Sequence, residues 1–355
     1  MTELMKDILK QPEELRGTLD RTLGPGKAAL EMAAQIIREA KHVYITGMGS
    51  SWHAGMAVQS LFDSGGRPAC LVDASEFLHL TQIARNSVVI VLSRSGKSIE
   101  IVNLLSKTKQ AGARIIGITN TPESPLAFSA DITLNSGASF DHFVSVTMYS
   151  ALALVGGLLA AAVLNNLDES LSASLFESLS TVQPVLNAWS QQVAESHWLQ
   201  RDMSTYFLAR GTSLASCHEA RLLWEEAAKA PATALTTGGF RHGPQEMIAE
   251  GMRFGLWIDN ERLRGQDLAV AADLHKLGGK LMLIGQDLPE SLGDLVFSLP
   301  KIPGVWQFLI DIMPVQLAAE RLSHIRGVDC DSFRICSYIV ESEYGLIAEP
   351  KTGAP

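Results

Sequence analysis

The sequence predicts an α/β protein of two tandem units, each a doubly wound parallel sheet flanked by helices, and three observations carry that expectation. Two apolar strands run into matching turns: His42-Val43-Tyr44-Ile45-Thr46 into Gly47-Met48-Gly49-Ser50-Ser51, and Thr205-Tyr206-Phe207-Leu208-Ala209 into Arg210-Gly211-Thr212-Ser213. Short, almost wholly apolar strands alternate with helical patterns in both halves, as in parallel sheets covered on both faces. The length of 355 residues exceeds one ordinary core and suits two.

Taken in order, residues 1–40 read as N-terminal helices, the first ending at Gln11-Pro12 and the second running from Ala28 to Ala40 with apolar positions at helical spacing. The first unit, 41–165, has strands expected near 42–46, 69–72, 87–92, 114–118 and 131–134, and helices near 52–63, 97–111 and 144–164. Val144 to Leu164 is apolar enough to raise a membrane span, but Ser145, Thr147, Ser150, Gly156 and Gly157 interrupt it and it stands alone, so it reads as a buried helix. One helix near 170–196 fills the link, 166–200. The second unit, 201–345, has strands near 204–209, 231–236, 253–258, 279–284 and 294–298, with helices near 215–229, 244–249, 265–276 and 305–326. After Gly327 an extended tail leads to a frayed end, 346–355.

The net charge of −9 argues against a nucleic-acid groove, so an anionic substrate must be held locally. Cys70, Cys217, Cys330 and Cys336 fit no common zinc spacing and read as buried thiols of a reducing cytoplasm, with neither metal nor cofactor implied. The start, Met1-Thr2-Glu3-Leu4-Met5-Lys6-Asp7, is too polar for a signal peptide, and no membrane partner is expected.

In a parallel sheet the ligand crevice lies beyond the C-terminal strand ends, where helix N-termini present unpaired N–H groups and a positive dipole end. Gly47 and Gly49 let the backbone approach a ligand there. Only the first unit carries a second hydroxyl-rich turn, Ser93-Arg94-Ser95-Gly96-Lys97-Ser98, so Ser50, Ser51, Ser93, Ser95 and Ser98 form a set of neutral donors suited to a monoester phosphate. A dinucleotide site is the rival, since Gly47-x-Gly49 begins that fingerprint and Asp73 could serve as its ribose acid, but Trp52 stands where the third glycine belongs. The bland reading, serines that merely cap helices, does not account for two such loops at adjacent strands.

In the second unit, Ala220, Leu223, Trp224, Ala227 and Ala228 make an apolar stripe and Arg221, Glu225 and Lys229 a solvent row. Glu219 and Glu226 share one azimuth at the stripe's edge, where partial desolvation raises a carboxyl pKa and suits a base. Gly238-Gly239-Phe240-Arg241-His242-Gly243-Pro244 describes a tight loop that presents His242.

Together these motifs resemble the double sugar-isomerase (SIS) domain family, typified by the isomerase half of glucosamine-6-phosphate synthase. The resemblance implies two tandem SIS domains. It implies a sugar 6-phosphate held by Ser51, Ser93, Arg94, Ser95 and Ser98, with Ser50 beside the sugar. Glu226 would move protons between C1 and C2, and His242 would open the ring, reaching the neighbouring subunit's site in a homodimer.

The sequence departs from the synthase, whose glutaminase segment has no counterpart and whose tail lysine is replaced when Tyr338 is aligned there. The sole lysine after Lys301 is Lys351, and Met148 stands where the family often has lysine. Phe240-Arg241-His242-Gly243-Pro244-x-Glu246 is most similar to the fructosamine-6-phosphate deglycases. The expectation is an enzyme cleaving or deaminating a 6-phosphorylated amino sugar or sugar–amine conjugate. Aldose–ketose isomerisation and synthase-like amide transfer are the alternatives within the family. A phosphosugar sensor is the alternative of another class, disfavoured because no helix-turn-helix appendage or basic arm is visible and sensing needs neither Glu226 nor His242.

Overall fold

The computed structural model describes residues 1–346. Helices α1 (Glu3–Leu23) and α2 (Lys27–Glu39) precede the first unit: β1 (His42–Gly47), α3 (Ser50–Ser64), β2 (Cys70–Asp73), α4 (Ala74–His79), β3 (Ser87–Ser93), α5 (Ile99–Gln110), β4 (Arg114–Thr119), α6 (Pro125–Ser129), β5 (Ile132–Asn135) and α7 (Thr147–Val163). Helices α8 (Glu169–Val182) and α9 (Val185–Glu195) lead to the second: β6 (Thr205–Ala209), α10 (Ser213–Glu226), β7 (Thr233–Thr236), α11 (Thr237–Phe240), β8 (Arg253–Trp257), α12 (Arg264–Lys276), β9 (Lys280–Gly285), β10 (Leu295–Ser298) and α13 (Met313–Arg326).

Both sheets are five-stranded, with order β2-β1-β3-β4-β5 in one and β7-β6-β8-β9-β10 in the other, and every pairing is parallel. The two orders are the same order, so the repeat in the sequence is a repeat of fold. Each sheet turns one face toward a shared apolar core built from α1, α3, α7, α10 and α13, while smaller clusters pack α4 and α5, or α12, on the outer faces. Strand β3 is buried at every residue, which is why Val88-Val89-Ile90-Val91-Leu92 shows no alternation.

Helix α7 occupies the middle of this core and is buried nearly all round. The Asp141 carboxylate accepts N–H bonds from Val146, Thr147 and Met148 at its first turn, 2.9, 3.0 and 2.9 Å. Among the described residues no helix is long and apolar enough to cross a membrane.

Several expectations need correction. Helix α1 continues through Pro12, because packing of its buried residues against α7, α8 and α13 outweighs the one backbone bond that proline removes. The linking helix is two helices, broken at Gln183-Pro184. The segment 305–326 begins as a 3₁₀ turn, Gly304–Leu309, and becomes α-helical only at Met313, while 244–249 is a 3₁₀ turn over Pro244–Met247. Helix α10 ends at Glu226, short of the expected 229, and Lys229 has φ +51°. Two of the four thiols are exposed: Cys70 opens the edge strand β2, and Cys336 lies on the tail. Most of the expected frayed end, including Lys351, lies outside the described residues.

Candidate active site

The site forms where β1 and β3 end. Gly47 closes β1 where a Cβ would meet Ser51 C at 2.8 Å and Leu92 O at 3.0 Å, so only glycine lets the turn press against the neighbouring strand. Gly49, φ +51°, then starts α3, whose first residues are Ser50 and Ser51. After β3 the second turn is pinned through the Arg94 carbonyl, which accepts from Asn120 N and from the Thr119 and Thr121 hydroxyls at 3.2–3.3 Å. Gly96 turns at φ +61°, where a Cβ would strike Ser124 Oγ.

The serines are disposed as donors. Ser93 Oγ accepts from Gly96 N at 3.0 Å and Ser95 Oγ from Lys97 N at 3.2 Å, which leaves both hydroxyl protons free to be donated. Ser98 is the N-cap of α5 but makes no side-chain capping bond. Asp73, the acid a dinucleotide site would need, caps α4 by accepting from Ser75 N and Glu76 N.

These turns line a cavity of about 250 Å³ together with Glu226, Phe143, Ser145 and the tail residues Phe333, Cys336, Ser337, Tyr338 and Val340. Ser50, Ser51, Ser93, Arg94, Ser95 and Ser98 all face it. Larger grooves lie between α2 and α7–α8, about 1010 Å³, and at the strand ends of the second sheet, about 580 Å³, but neither gathers the two serine turns with Glu226. Glu226 reaches the cavity because α10 packs on α3, the helix that starts at the first turn. Burial pushes its carboxyl up to about 8; the nearby Glu219 adds to the rise and Arg94 opposes it.

Arg94 is directed at the tail: its Nη2 donates to the Tyr338 carbonyl at 2.8 Å and its guanidinium lies 3.9 Å from the Tyr338 ring centre. Lys229 is not on the solvent row, since its ammonium donates to the carbonyls of Glu226, Asp329 and Ser332 at 2.6, 2.7 and 2.8 Å, tying the end of α10 to the root of the tail. Glu225 is the ordinary surface acid expected, paired with Arg221 at 2.6 Å. His242 is exposed beyond α11, beside Gly243 at φ +123°, and is not among the residues lining the cavity.

Sequence reasoning missed the tail's share of the lining and the depth of Glu219, which is 1% exposed and pairs with His53. The apolar stripe around Glu219 was a signal for its burial; nothing local marks the tail, whose contacts with the cavity loops are long-range.

Residues 36–163 match the SIS domain family. Glutamine–fructose-6-phosphate aminotransferase [isomerizing] of Shouchella clausii is 26% identical over 341 residues, covering 93% of this chain and 57% of that protein. The chain thus spans little more than half the length of such relatives. Among solved structures, the C-terminal domain of glucosamine-fructose-6-phosphate aminotransferase from Francisella tularensis superposes with TM-score 0.83 at 24% identity, over 93% of this chain and 98% of that one. Glucosamine-6-phosphate deaminase from Thermotoga maritima gives 0.79 at 19%, over 96% and 99%. Residues 36–163 thus match a SIS domain, and the strand order of that first unit is repeated in the second half of the chain.

Proposed function

We propose that the chain is an enzyme acting on a 6-phosphorylated amino sugar or sugar–amine conjugate, with the serine turns holding the phosphate and Glu226 moving the proton between C1 and C2. The observation that carries this reading is the joining, in one cavity of about 250 Å³, of two neutral donor loops and a carboxyl raised to about 8. A phosphate there meets hydroxyls and helix N-termini, while the carboxyl is basic enough to take a carbon-bound proton. The fructose 6-phosphate in the name of the relatives supports a phosphosugar as substrate.

Among the described residues no lysine lines the cavity, which favours a substrate that brings its own C–N bond over one that needs an enzyme imine. Protonated, that bond acidifies the neighbouring carbon. Glu226 removes the carbon proton, an enolamine forms, the proton returns at the adjacent carbon, and water displaces the amine. His242, exposed and away from its own chain's cavity, serves ring opening in the site of a second copy, so the working unit is a homodimer.

A panel of sugar 6-phosphates and their amine conjugates, assayed for depletion and for released amine, tests the proposal. Amine release that Glu226→Gln abolishes is the expected result. Conversion without amine release would make the protein a simple isomerase, and tight binding without conversion a sensor.

A further inference from the structure

Behind Ser50 lies a pair of titratable groups that the proposed steps leave unused. Glu219 and His53 are 1% and 2% exposed, and Glu219 Oε2 sits 2.7 Å from His53 Nδ1. Both belong to helices that build the site: His53 follows Ser50 by three residues on α3, and Glu219 precedes Glu226 by seven on α10. Ser50 faces the cavity one helical turn before His53, and its hydroxyl is near enough to the Glu219 carboxyl to oppose the rise in that group's pKa. Ser50, Glu219 and His53 therefore follow one another from the cavity inward, the last two in hydrogen-bond contact.

Burying two such groups is costly where apolar side chains would pack as well, and their neighbours on the two helices include Ala54, Ala57, Ala220 and Leu223. Desolvation drives both to their neutral forms, lifting Glu219 to about 8 and lowering His53 to about 3. In that state the three groups would align in one direction: His53 Nδ1–H donating to Glu219 Oε2, the protonated carboxyl donating to Ser50 Oγ, and the Ser50 hydroxyl left to donate into the cavity.

The proposed C1/C2 step, on which this inference rests, needs such a donor. As Glu226 takes the proton from carbon, electrons move onto a substrate oxygen, and Glu226 cannot protonate that oxygen while it holds the carbon proton. We infer that Ser50, Glu219 and His53 form a directional proton relay that serves the substrate oxygen while Glu226 serves the carbon. The Ser50 O–H bond breaks as the substrate O–H bond forms, and Glu219 passes its own proton to Ser50 Oγ. The resulting carboxylate is held by His53 Nδ1–H and the reformed Ser50 hydroxyl. Before Glu226 returns its proton to the adjacent carbon, the protonated nitrogen gives one proton back along the same path, and the substrate oxygen keeps its own as a hydroxyl. Glu219 and His53 never touch substrate; they are positioning residues that act through Ser50.

Two measurements decide the matter. Nitrogen-15 NMR of ring-labelled histidine in the native protein at neutral pH, with His53→Gln to assign the signal, should show His53 as the neutral Nδ1–H tautomer; an imidazolium or an Nε2–H tautomer overturns the relay. Glu219→Gln keeps a donor toward Ser50 but cannot release a proton. Its kcat should fall by about 10²-fold or more while KM and glucose 6-phosphate affinity stay unchanged. A native-like kcat in that variant also overturns the relay. If the native protein converts no phosphosugar, the functional reading fails by itself, and the tautomer still decides the direction of the hydrogen bonds.

Discussion

Arg94 and Tyr338 join the phosphate-type loop to the C-terminal tail: the guanidinium stacks 3.9 Å over the ring and donates to the same residue's carbonyl at 2.8 Å. The Tyr338 hydroxyl in turn donates to the Asp141 carbonyl at 3.1 Å, and Ile99 N to the Val340 carbonyl at the same distance. Tyr338 is thus the anchor of a wall of the cavity.

That anchor should be measurable. A cation–π contact of this kind contributes about 0.5–2 kcal/mol, so Tyr338→Ala should free the tail while the fold persists. Limited trypsin digestion at the exposed Arg334 should speed up, and KM for the sugar phosphate should rise. Unchanged digestion would show that Arg94 does not hold the tail.

The serine turns make the phosphate prediction. Ser93→Ala and Ser95→Ala each remove a hydroxyl donor to a charged group, a loss of about 1.5–3 kcal/mol in binding, with little change in Tm. Titration with the phosphorylated and unphosphorylated sugar separates the possibilities, since equal affinity for both would contradict the assignment.

Glu226 links activity and stability through pH. Its folded value, about 8, lies above that of an unfolded carboxyl, so the native state binds the proton more tightly and stability falls as pH rises from the ordinary carboxylate range through about 8. Activity runs the other way, because only the ionised form is a base. The kcat/KM profile should rise on an alkaline limb, and Glu226→Gln should remove about 10²–10⁴-fold of the rate while making the protein more stable at alkaline pH. A variant less stable than the native protein there would refute the sign.

The parallel strands were legible because their cost is paid locally: a strand covered on both faces must be apolar along its middle, and β3 is from Val88 to Leu92. Helices α4 and α6 were not, being a turn or two long and held by the caps Asp73 and Ser124. Pro12 misled for the opposite reason, since tertiary packing overrode a local breaker. In the site, glycines and serines at strand ends and Glu226 on its helix could be read from spacing. The His53–Glu219 pair and the Tyr338 anchor join segments distant in sequence, and no local pattern encodes such contacts.

A shared site also predicts complementation. Glu226→Gln and His242→Ala should each be inactive alone, yet mixing the two after dissociation should restore activity, because one site of the mixed dimer then has both native groups. No recovery would place His242 outside the chemistry of a second copy.

The central claim is that the substrate supplies the nitrogen and the enzyme forms no imine of its own. Sodium borohydride added during turnover of a fructosamine 6-phosphate conjugate, followed by intact-protein mass spectrometry, tests it most directly. The account predicts released amine and an unmodified chain. A hexose phosphate trapped on any lysine, Lys97, Lys229 or Lys351 included, would contradict it and restore a synthase-like mechanism.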